Sequence, residues 1–598
     1  MDSASAAPLP LQIPVPSPEH SVPTYPKHFI VRVLHALRRF LETRILEPIL
    51  TLTRAIHLII LLSPILFLSP IALSGSRDRN AYGQERSGTL WWYDIIVGQM
   101  QRAGPTFIKL AQWAATRTDL FPIELCRRLS RLHSRAQAHP FHETRALVEA
   151  AFGGKTLEEL FSSFDPEPLG VGAIAQVYKA TFRKESLPHT LPCTVAIKVL
   201  HPGAEEQVQR DLRLMSILAH GISLIPGCSW LALPDEVDVF GEMMRAQLDL
   251  RIEAEHLQRF KEGFKYRYEI HFPKSFSGLT ESNVLVEEYV EGIPMRKFLE
   301  SSGTSYDRAI SGIGLDAFLH MLIIDNFVHA DLHPGNIIVQ LVPPPPPLIY
   351  LRRRFASYFN LAPPTTPMDR EAVHRLSDLK DDDAALQEEL NRLWRKGYLP
   401  QLVFLDAGLV TELDEKNRRN FLDLFQAVAE FDGYRAGTLM VERCQSPELA
   451  IEPEEFARGV QGLVERVRDQ TMSLSQVHIA DILTVIMHLV REHHVRLAGD
   501  FVNVFVSILI LEGIGRRLNP DLDLLKVALP ILRDVGRVRA EQGLLEGAKD
   551  RVLPGREVLW GAGLFLRLWV WMETVQWVSV QWGGREELRI SDLFVPDV

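Results

Sequence analysis

Three polar motifs that each follow an apolar run constrain the fold of this chain most strongly. Lys198 lies near the end of a β-branched run, Asp331 and Asn336 follow a second apolar run, and Asp406 follows a third. Short β-branched or apolar runs predict buried strands, which hold a side chain at a fixed depth. A cation, two acids and an amide brought to one cleft could bind phosphate groups together with a divalent cation.

The segment from His329 to Asn336 has the spacing of a loop that transfers phosphoryl groups. In such a loop, Asp331 would orient or deprotonate the acceptor, and the Asn would hold a magnesium ion on the nucleotide phosphates. A metal-dependent hydrolase that uses the Asp and the two histidines beside it is an alternative. That alternative leaves Lys198 and Asp406 without a role.

Lys198 and Asp406 complete a nucleotide site in this interpretation. Lys198 is expected to contact the α and β phosphates of ATP and to pair with an acid on a helix. The pattern from Asp235 to Phe264 predicts one long amphipathic helix, on which Asp249 and Glu253 share a face. Glu253 is the expected partner of Lys198, and Asp406, which precedes a glycine turn, is expected to bind Mg²⁺.

A glycine-containing hairpin upstream of Lys198 is the predicted phosphate loop. Small side chains let backbone N–H groups approach phosphates, and glycine adopts conformations closed to other residues. Glu288 lies in a short apolar strand predicted from Val284 to Val290 and is expected to line the same site. The predicted nucleotide-binding residues other than Lys198 are Gly170, Gly172, Ala173, Ala175, Gln176 and Glu288.

Composition narrows the class of protein. A chain of 598 residues is expected to hold more than one structural unit, and its 46% hydrophobic and 23% charged residues suit a globular protein. Nucleic acid is not an expected partner, because the net charge of −10 offers no basic footprint. The four cysteines are far apart without a CxxC pair, so neither a zinc site nor a disulfide framework is predicted.

Changes of pattern along the chain predict a small mixed lobe followed by a large helical lobe. The predicted segments are a disordered leader (1–26), a basic amphipathic segment (27–54), a candidate transmembrane helix (55–75), an N-terminal helical extension (80–165), the small lobe (166–295), the large lobe (296–342 and 401–545), a Pro-rich charged insertion (343–400) and a Trp-rich helical segment (546–598).

Four of these segments leave two interpretations open. Segment 27–54 fits a targeting sequence or a membrane-surface helix, and 55–75 fits a membrane span or a buried or hairpin helix. The insertion is either a docking ligand for an SH3-like or WW-like groove or a plain spacer. The tryptophans of 546–598 suit a membrane interface or packing against the rest of the chain.

Six motifs along the chain are specific enough to indicate a family, namely Gly104–Gln112, Thr116–Pro122, Ile174–Tyr178, Val195–Val199, His201–Gly203 and Phe327–Asn336. Through these motifs the chain resembles the UbiB-type, aarF-domain atypical kinases over roughly residues 90–540. The subgroup that it resembles most is the mitochondrial one with Gln-Leu-Asp in the helix. This resemblance implies an α+β, atypical protein-kinase-like fold with the N-terminal helical extension lying over the cleft.

The resemblance also implies a function. Lys109 and Gln112 of the extension would occupy the space of a peptide substrate, so transfer to protein is not expected. ATP and Mg²⁺ would be hydrolysed or used on a membrane lipid or quinone-like molecule, at the mitochondrial inner membrane, with coenzyme Q biosynthetic proteins as partners. A single-pass membrane protein is expected. The alternative is a nucleotide-binding pseudokinase scaffold for lipid-biosynthetic proteins.

Several positions depart from the family pattern. Ala111 stands where the family usually has Gly, and Ala407 replaces the Phe of Asp-Phe-Gly. Gln247, which opens the Gln-Leu-Asp that ends at Asp249, stands where the family usually has a Glu paired with the extension Lys. An amide can hydrogen-bond Lys109 but cannot neutralise it.

Overall fold

The computed structural model describes residues 42–77, 85–134, 138–183, 194–225, 232–300, 303–344, 369–379, 382–429, 431–472, 479–520 and 522. The predicted leader, the first part of the basic segment, most of the proline-rich part of the insertion and the Trp-rich segment lie outside these residues. The α-helices are α1 Glu47–Phe67, α2 Ser87–Ala103, α3 Pro105–Thr116, α4 Ile123–Leu129, α5 Phe141–Ala151, α6 Leu157–Leu160, α7 Ala204–Ser223, α8 Leu233–Gln247, α9 Leu250–Gly263, α10 Met295–Glu300, α11 Asp307–Leu319, α12 Arg370–Asp378, α13 Asp383–Arg395, α14 Glu415–Ala429, α15 Gly433–Glu442, α16 Pro453–Met472, α17 Ile479–Glu492 and α18 Gly499–Leu518.

The strands are β1 Phe161–Phe164, β2 Gly170–Val171, β3 Ala175–Phe182, β4 Thr194–Leu200, β5 Ile270–His271, β6 Val284–Glu288, β7 Ile293–Pro294, β8 Val328–His329, β9 Ile337–Val342, β10 Leu399–Phe404 and β11 Val410–Thr411. They form one sheet in the small lobe and two smaller sheets in the large lobe. The predicted α+β class, with mixed and mainly helical parts, is confirmed.

The small lobe is built on an antiparallel sheet with the order β1-β3-β4-β6, to which β2 adds a hairpin with β3. Val195, Ile197 and Val199 of β4 pack into the core on one face of the sheet, against α5 and α6. Successive side chains of a strand point to opposite faces. Lys198 therefore projects from the other face, towards α9.

The larger of the two large-lobe sheets has the order β5-β10-β9-β7. The last residue of β9, Val342, lies directly opposite the first residue of β10, Leu399. The insertion therefore leaves and re-enters the sheet at neighbouring positions, and its described part contains α12 and α13. Three buried leucines at helical spacing fix α13 to the lobe, namely Leu386, Leu390 and Leu393.

The predicted single helix from Asp235 to Phe264 is wrong, because the structure has two helices, α8 and α9, in that range. Asp249 is the N-cap of α9, and its Oδ1 accepts a hydrogen bond from the backbone N–H of Arg251 at 3.1 Å. The N–H of Leu250 donates to the carbonyl oxygen of Ser282 at 2.9 Å. A side chain that binds backbone N–H groups favours a helix start over a helix interior.

Of the elements within the predicted extension (80–165), α2, α3 and α4 precede the small lobe, whereas α5, α6 and β1 belong to the core and sheet of the small lobe. Gly104 has a φ of +102°, which glycine tolerates best, and Pro105 follows at the first position of α3. Thr106 of α3 donates from Oγ1 to Oδ2 of buried Asp211 on α7 at 2.7 Å. These contacts attach α3 to the helices that flank the cleft.

A buried ion network holds the end of α3 in place. Arg117 is 1% exposed and binds Asp119, with 2.8 Å between Nη2 and Oδ2, and Glu236 on α8. Arg496, which precedes α18, reaches Asp235 at 3.2 Å and Glu236 at 3.7 Å. Burial alone would lower the pKa of Arg117, but the two carboxylates raise it, so Arg117 stays charged.

The candidate transmembrane segment is helical. A continuous helical stretch from Arg44 to Leu73 is 30 residues long and contains α1. Its length and apolar composition are sufficient to cross a membrane, since about 20 apolar residues span a bilayer core. Pro64 lies inside α1, in its last turn, where it cannot donate the backbone hydrogen bond to the carbonyl of Ile60. A buried core helix or a signal sequence can meet the same criteria, so α1 is a candidate span only.

We predict that Arg117→Leu destabilises the extension strongly. The change leaves buried Asp119 without its counter-charge and Glu236 with only Arg496 at 3.7 Å, and breaking a buried pair costs about 3–5 kcal/mol in other proteins. The thermal unfolding midpoint of the purified protein in detergent should fall, and limited proteolysis should cut the extension first. Arg145→Leu is the matched control, because Arg145 pairs with Glu158 at the surface, where a pair contributes about 1 kcal/mol or less. Equal shifts for both variants would contradict this role.

Candidate functional site

Lys198 joins two carboxylates that come from different parts of the fold. Its Nζ lies 2.7 Å and 2.8 Å from the two carboxylate oxygens of Glu253 on α9, and 3.1 Å from Oδ2 of Asp406 after β10. Glu253 is 5% exposed, and Lys198 is largely buried. The structure thus brings together the strand Lys, the helix Glu and the Asp that were predicted to form a site.

The electrostatics follow from one cation between two acids. Burial alone would lower the pKa of Lys198, but Asp406 and Glu253 outweigh it and raise that pKa. Burial raises the pKa of Glu253 to about 7. The positive charge of Lys198 opposes this rise, and the negative charge of Asp406 adds to it. For Asp406, the effect of burial is overcome by Lys198 and by the N–H of Gly408, which keep its pKa below the usual range.

The turn after β10 fixes the orientation of Asp406. The N–H of Gly408 donates to Oδ1 of Asp406 at 2.8 Å. A Cβ atom at Gly408 would lie 3.1 Å from the same oxygen, which is a tight contact, and 3.7 Å from Oε2 of Glu253, which is an ordinary one. The packing around Asp406 therefore favours glycine at this position.

The loop that carries Asp331 is held against the Asp406 turn. Buried His329 accepts a hydrogen bond at Nδ1 from the N–H of Asp331 at 3.1 Å, so its Nε2–H donates to the carbonyl oxygen of Asp406. Burial lowers the pKa of His329, which favours this neutral form. The N–H of Leu405 also donates to the carbonyl oxygen of Asn336 at 2.9 Å. Asp331 and Asn336 thus lie beside Lys198, Glu253 and Asp406, which together form the Lys198 cluster.

The hydrolase alternative is not supported by this geometry. Both ring nitrogens of His329 bind backbone groups, and Nδ1 of His333 accepts from the N–H of Gly335 at 3.1 Å. Within the described ranges, no group of three or more His, Cys, Asp or Glu residues is placed to hold a metal ion.

The oxygen donors of Asp406 and Asn336 suit a magnesium ion, as phosphate transfer requires. Mg²⁺ is commonly held by one or two carboxylates together with substrate phosphates and water. Asp406 offers carboxylate oxygens, and its side chain is 39% exposed. Asn336 donates from Nδ2 to the carbonyl oxygen of Asp331 at 3.3 Å, which leaves its amide oxygen to act as a ligand.

The extension reaches the site through Lys109. Lys109 is half-buried on α3, and its charge is one of those that lower the pKa of Asp406. Gln112 lies almost one turn further along α3 and is also half-buried, but no hydrogen bond joins it to the cluster among the described contacts. Ala111 between them has no exposed surface, so its small side chain permits close packing of α3.

Among the described contacts, none joins Gln247 or Asp249 to Lys198, Glu253 or Asp406. Gln247 is the last residue of α8 and is half-buried. Asp249 does not share a helix face with Glu253, because it caps α9 and binds the Arg251 side chain, with 2.6 Å between Oδ2 and Nη2. Arg251 is mostly exposed, so this pair is reached by solvent.

The glycine-containing hairpin is present, but one of its predicted ligands points elsewhere. Gly170 and Gly172 lie at the β2–β3 turn, where the N–H of Gly172 donates to the carbonyl oxygen of Ala175 at 2.8 Å. Ala173 and Ala175 are buried beside them. Gln176 is fully buried, and its Nε2 donates to the hydroxyl of Tyr178 at 2.6 Å. Its side chain is therefore not directed at a nucleotide.

Glu288 also lies outside the cluster, whereas its neighbour Glu287 faces it. Glu288 binds His271, with 3.3 Å between Oε2 and Nε2, and accepts from the N–H of Lys274 at 3.1 Å. Glu287 is paired with Ala196 of β4 and therefore shares the face of Lys198. Strand alternation could have placed Glu287 on one face of β6, but the register between β4 and β6 is needed to show that this is the face of Lys198.

Two family models match this chain. The model described as the ABC1 atypical kinase-like domain covers residues 131–351, and the model described as the UbiB helical domain covers residues 460–523. The first match contains Lys198, Glu253 and the Asp331–Asn336 loop, whereas Asp406 and Lys109 lie outside both.

Similar proteins are found in fungi and bacteria. A mitochondrial ABC1 family protein of Saccharomyces cerevisiae is 38% identical over 595 residues, which cover 96% of this chain and 86% of that protein. A mitochondrial ABC1 family protein of Schizosaccharomyces pombe is 40% identical over 505 residues, or 81% of this chain and 71% of that protein. A probable protein kinase UbiB of Histophilus somni is 27% identical over 441 residues, or 73% and 69%. The chain therefore belongs to the ABC1/UbiB family of atypical kinases.

Proposed function

We propose that the protein binds Mg²⁺ and ATP at the Lys198 cluster and either hydrolyses ATP or transfers its phosphoryl group to a small or lipid-associated acceptor. The observation that carries this proposal is the position of Lys198 between Glu253 and Asp406, beside the loop from Asp331 to Asn336. A purely structural ion pair would need neither that loop nor the glycine-containing hairpin on the same sheet.

Each residue has a role that its contacts support. Lys198 is cationic and would contact the α and β phosphates, while Glu253 keeps it in position. Asp331, whose backbone is fixed by His329, would orient the acceptor hydroxyl or water. Asp406 and Asn336 would hold Mg²⁺, which supplies charge neutralisation on the phosphate oxygens. Catalysis of this kind depends mainly on positioning and charge stabilisation.

The acceptor is proposed to be small or lipid-associated because the extension reaches into the site. Lys109 of α3 is close enough to influence the Asp406 carboxylate, and α3 is attached by Thr106 and Arg117. A peptide substrate would need the space that this helix and its side chains use. Protein kinase activity is therefore not part of the proposal.

The cellular setting is proposed from the relatives and from α1. Two relatives are named as mitochondrial, and α1 is a candidate membrane span. We place the protein at the mitochondrial inner membrane as a single-pass protein that supports coenzyme Q or related lipid metabolism. A membrane lipid or quinone-like molecule and coenzyme Q biosynthetic proteins are the proposed partners.

A nucleotide-binding scaffold without turnover is the second candidate. It is favoured by Gln247, an amide at the end of α8 where the family usually has an acid, and it requires nucleotide binding but no hydrolysis. A thermal shift experiment combined with an ATPase assay separates the two. Ligand at about 100 times its dissociation constant stabilises a fold by about 2.7 kcal/mol. Stabilisation by Mg-ATP without turnover supports the scaffold.

We predict that Asp406→Asn lowers the ATPase kcat by at least about 100-fold, because it removes an anionic magnesium ligand and a partner of Lys198. The thermal midpoint should change little, since Glu253 still holds Lys198. Asp423→Asn, at a partly exposed Asp that pairs with Arg443, is the matched control and should keep full activity. Folded Asp406→Asn protein with full ATPase activity would remove the catalytic assignment.

The pH profile gives a second prediction. The pKa of Glu253 is about 7, so the group is neutral below this pH and an anion above it. Only the anion forms an ion pair with Lys198. Because kcat/KM reports the pKa values of groups in the free enzyme, it should rise as the pH increases through about 7. Glu253→Gln should be less active and should lack this rise. A step that persists in Glu253→Gln would assign the titration to another group.

A further inference from the structure

We infer that Glu287 is a specificity-determining residue that accepts a hydrogen bond from the exocyclic amine of the nucleotide base, and so selects adenine. This inference rests on the nucleotide site proposed above. Glu287 has no role in the phosphate binding or the metal binding proposed above.

Glu287 is a buried acid with an unused oxygen. The residue is 7% exposed, and its Oε2 has no hydrogen-bond partner among the described residues. Burying a polar group without a partner is costly, so such groups are rare unless a ligand completes them. Burial and the charge of Glu253 also raise the pKa of Glu287. Because a neutral carboxyl group keeps an acceptor oxygen, hydrogen bonding to an amine does not depend on its protonation state.

The strand register places this oxygen along the path of a bound nucleotide. Leu285 pairs with Lys198, and Glu287 pairs with Ala196, so Glu287 is displaced from Lys198 by two residues along the sheet, about 7 Å. The displacement is away from the glycine-containing hairpin, because Gln176 of β3 pairs with Val199 at the other end of β4. Phosphates between the hairpin and Lys198 would therefore leave the base on the Glu287 side.

The chain passes between the two lobes at the same end of the sheet. Glu288 ends β6, and Ile293 begins β7 in the large-lobe sheet. At Gly292 a Cβ atom would lie 2.4 Å from Ile338 and 2.9 Å from the carbonyl oxygen of Val339, so the backbone there is packed tightly on β9. Glu287 thus lies where a flat base would be enclosed between the lobes, and an amine is the group that an acceptor oxygen recognises.

The test compares two nucleotides on the full-length protein. Dissociation constants are measured with Mg²⁺ for ATP and for purine riboside triphosphate, which lacks the 6-amine. The wild-type protein is expected to bind ATP more tightly by roughly 2- to 10-fold, the range for a hydrogen bond to a neutral acceptor. Glu287→Leu should bind both nucleotides equally, whereas Glu287→Gln, which keeps an acceptor oxygen, should retain part of the preference. Glu281→Leu, at an exposed position, is the matched control and should keep the wild-type ratio.

The outcomes separate this inference from the proposed function. If the wild-type protein binds both nucleotides with equal affinity, or if Glu287→Leu keeps the wild-type ratio, the role of Glu287 is wrong and the nucleotide site remains. If neither nucleotide binds, both proposals fail. The thermal midpoint of Glu287→Leu checks folding, and it should be maintained or raised, because the change removes an acid without a partner from the interior.

Discussion

The sharing of one lysine by two acids is the interaction on which the arrangement of the cleft depends. Lys198 comes from the small-lobe sheet, Glu253 from α9 and Asp406 from the end of a large-lobe strand. Either acid alone still compensates the charge of Lys198, whereas removal of Lys198 would leave both acids without their cation, which is strongly destabilising for buried charges. The cation therefore ties the two lobes together, and the same cation is the group that a phosphate would bind.

The extension changes what such a cleft can do. Through Gly104 and Pro105 the chain turns into α3, and Arg117 fixes the end of that helix with Asp119 and Glu236. Lys109 then contributes positive charge near Asp406. The proposed nucleotide site would therefore be more enclosed than an open surface for protein substrates.

The sequence was sufficient where local patterns determine position. Lys198 and Asp406 follow apolar strands, so the depth of each side chain could be predicted, and Glu253 was the natural helix partner. Asp249 was misplaced because capping competes with helix continuation, and an amphipathic pattern alone does not show which prevails. Gln176 and Glu287 depend on strand register, and the buried contact of Arg117 with Glu236 depends on residues 119 positions apart. Such long-range contacts leave no local periodic signal.

Calorimetric titration of ATP into the full-length protein, with and without Mg²⁺, measures whether the cleft around Lys198 is a nucleotide site. We expect saturable binding of one ATP per chain that is strengthened by Mg²⁺, because Asp406 and Asn336 offer oxygen ligands for the ion beside a lysine that can bind phosphate. Absence of ATP binding under both conditions, or binding that Mg²⁺ leaves unchanged, would show that the proposed site is wrong.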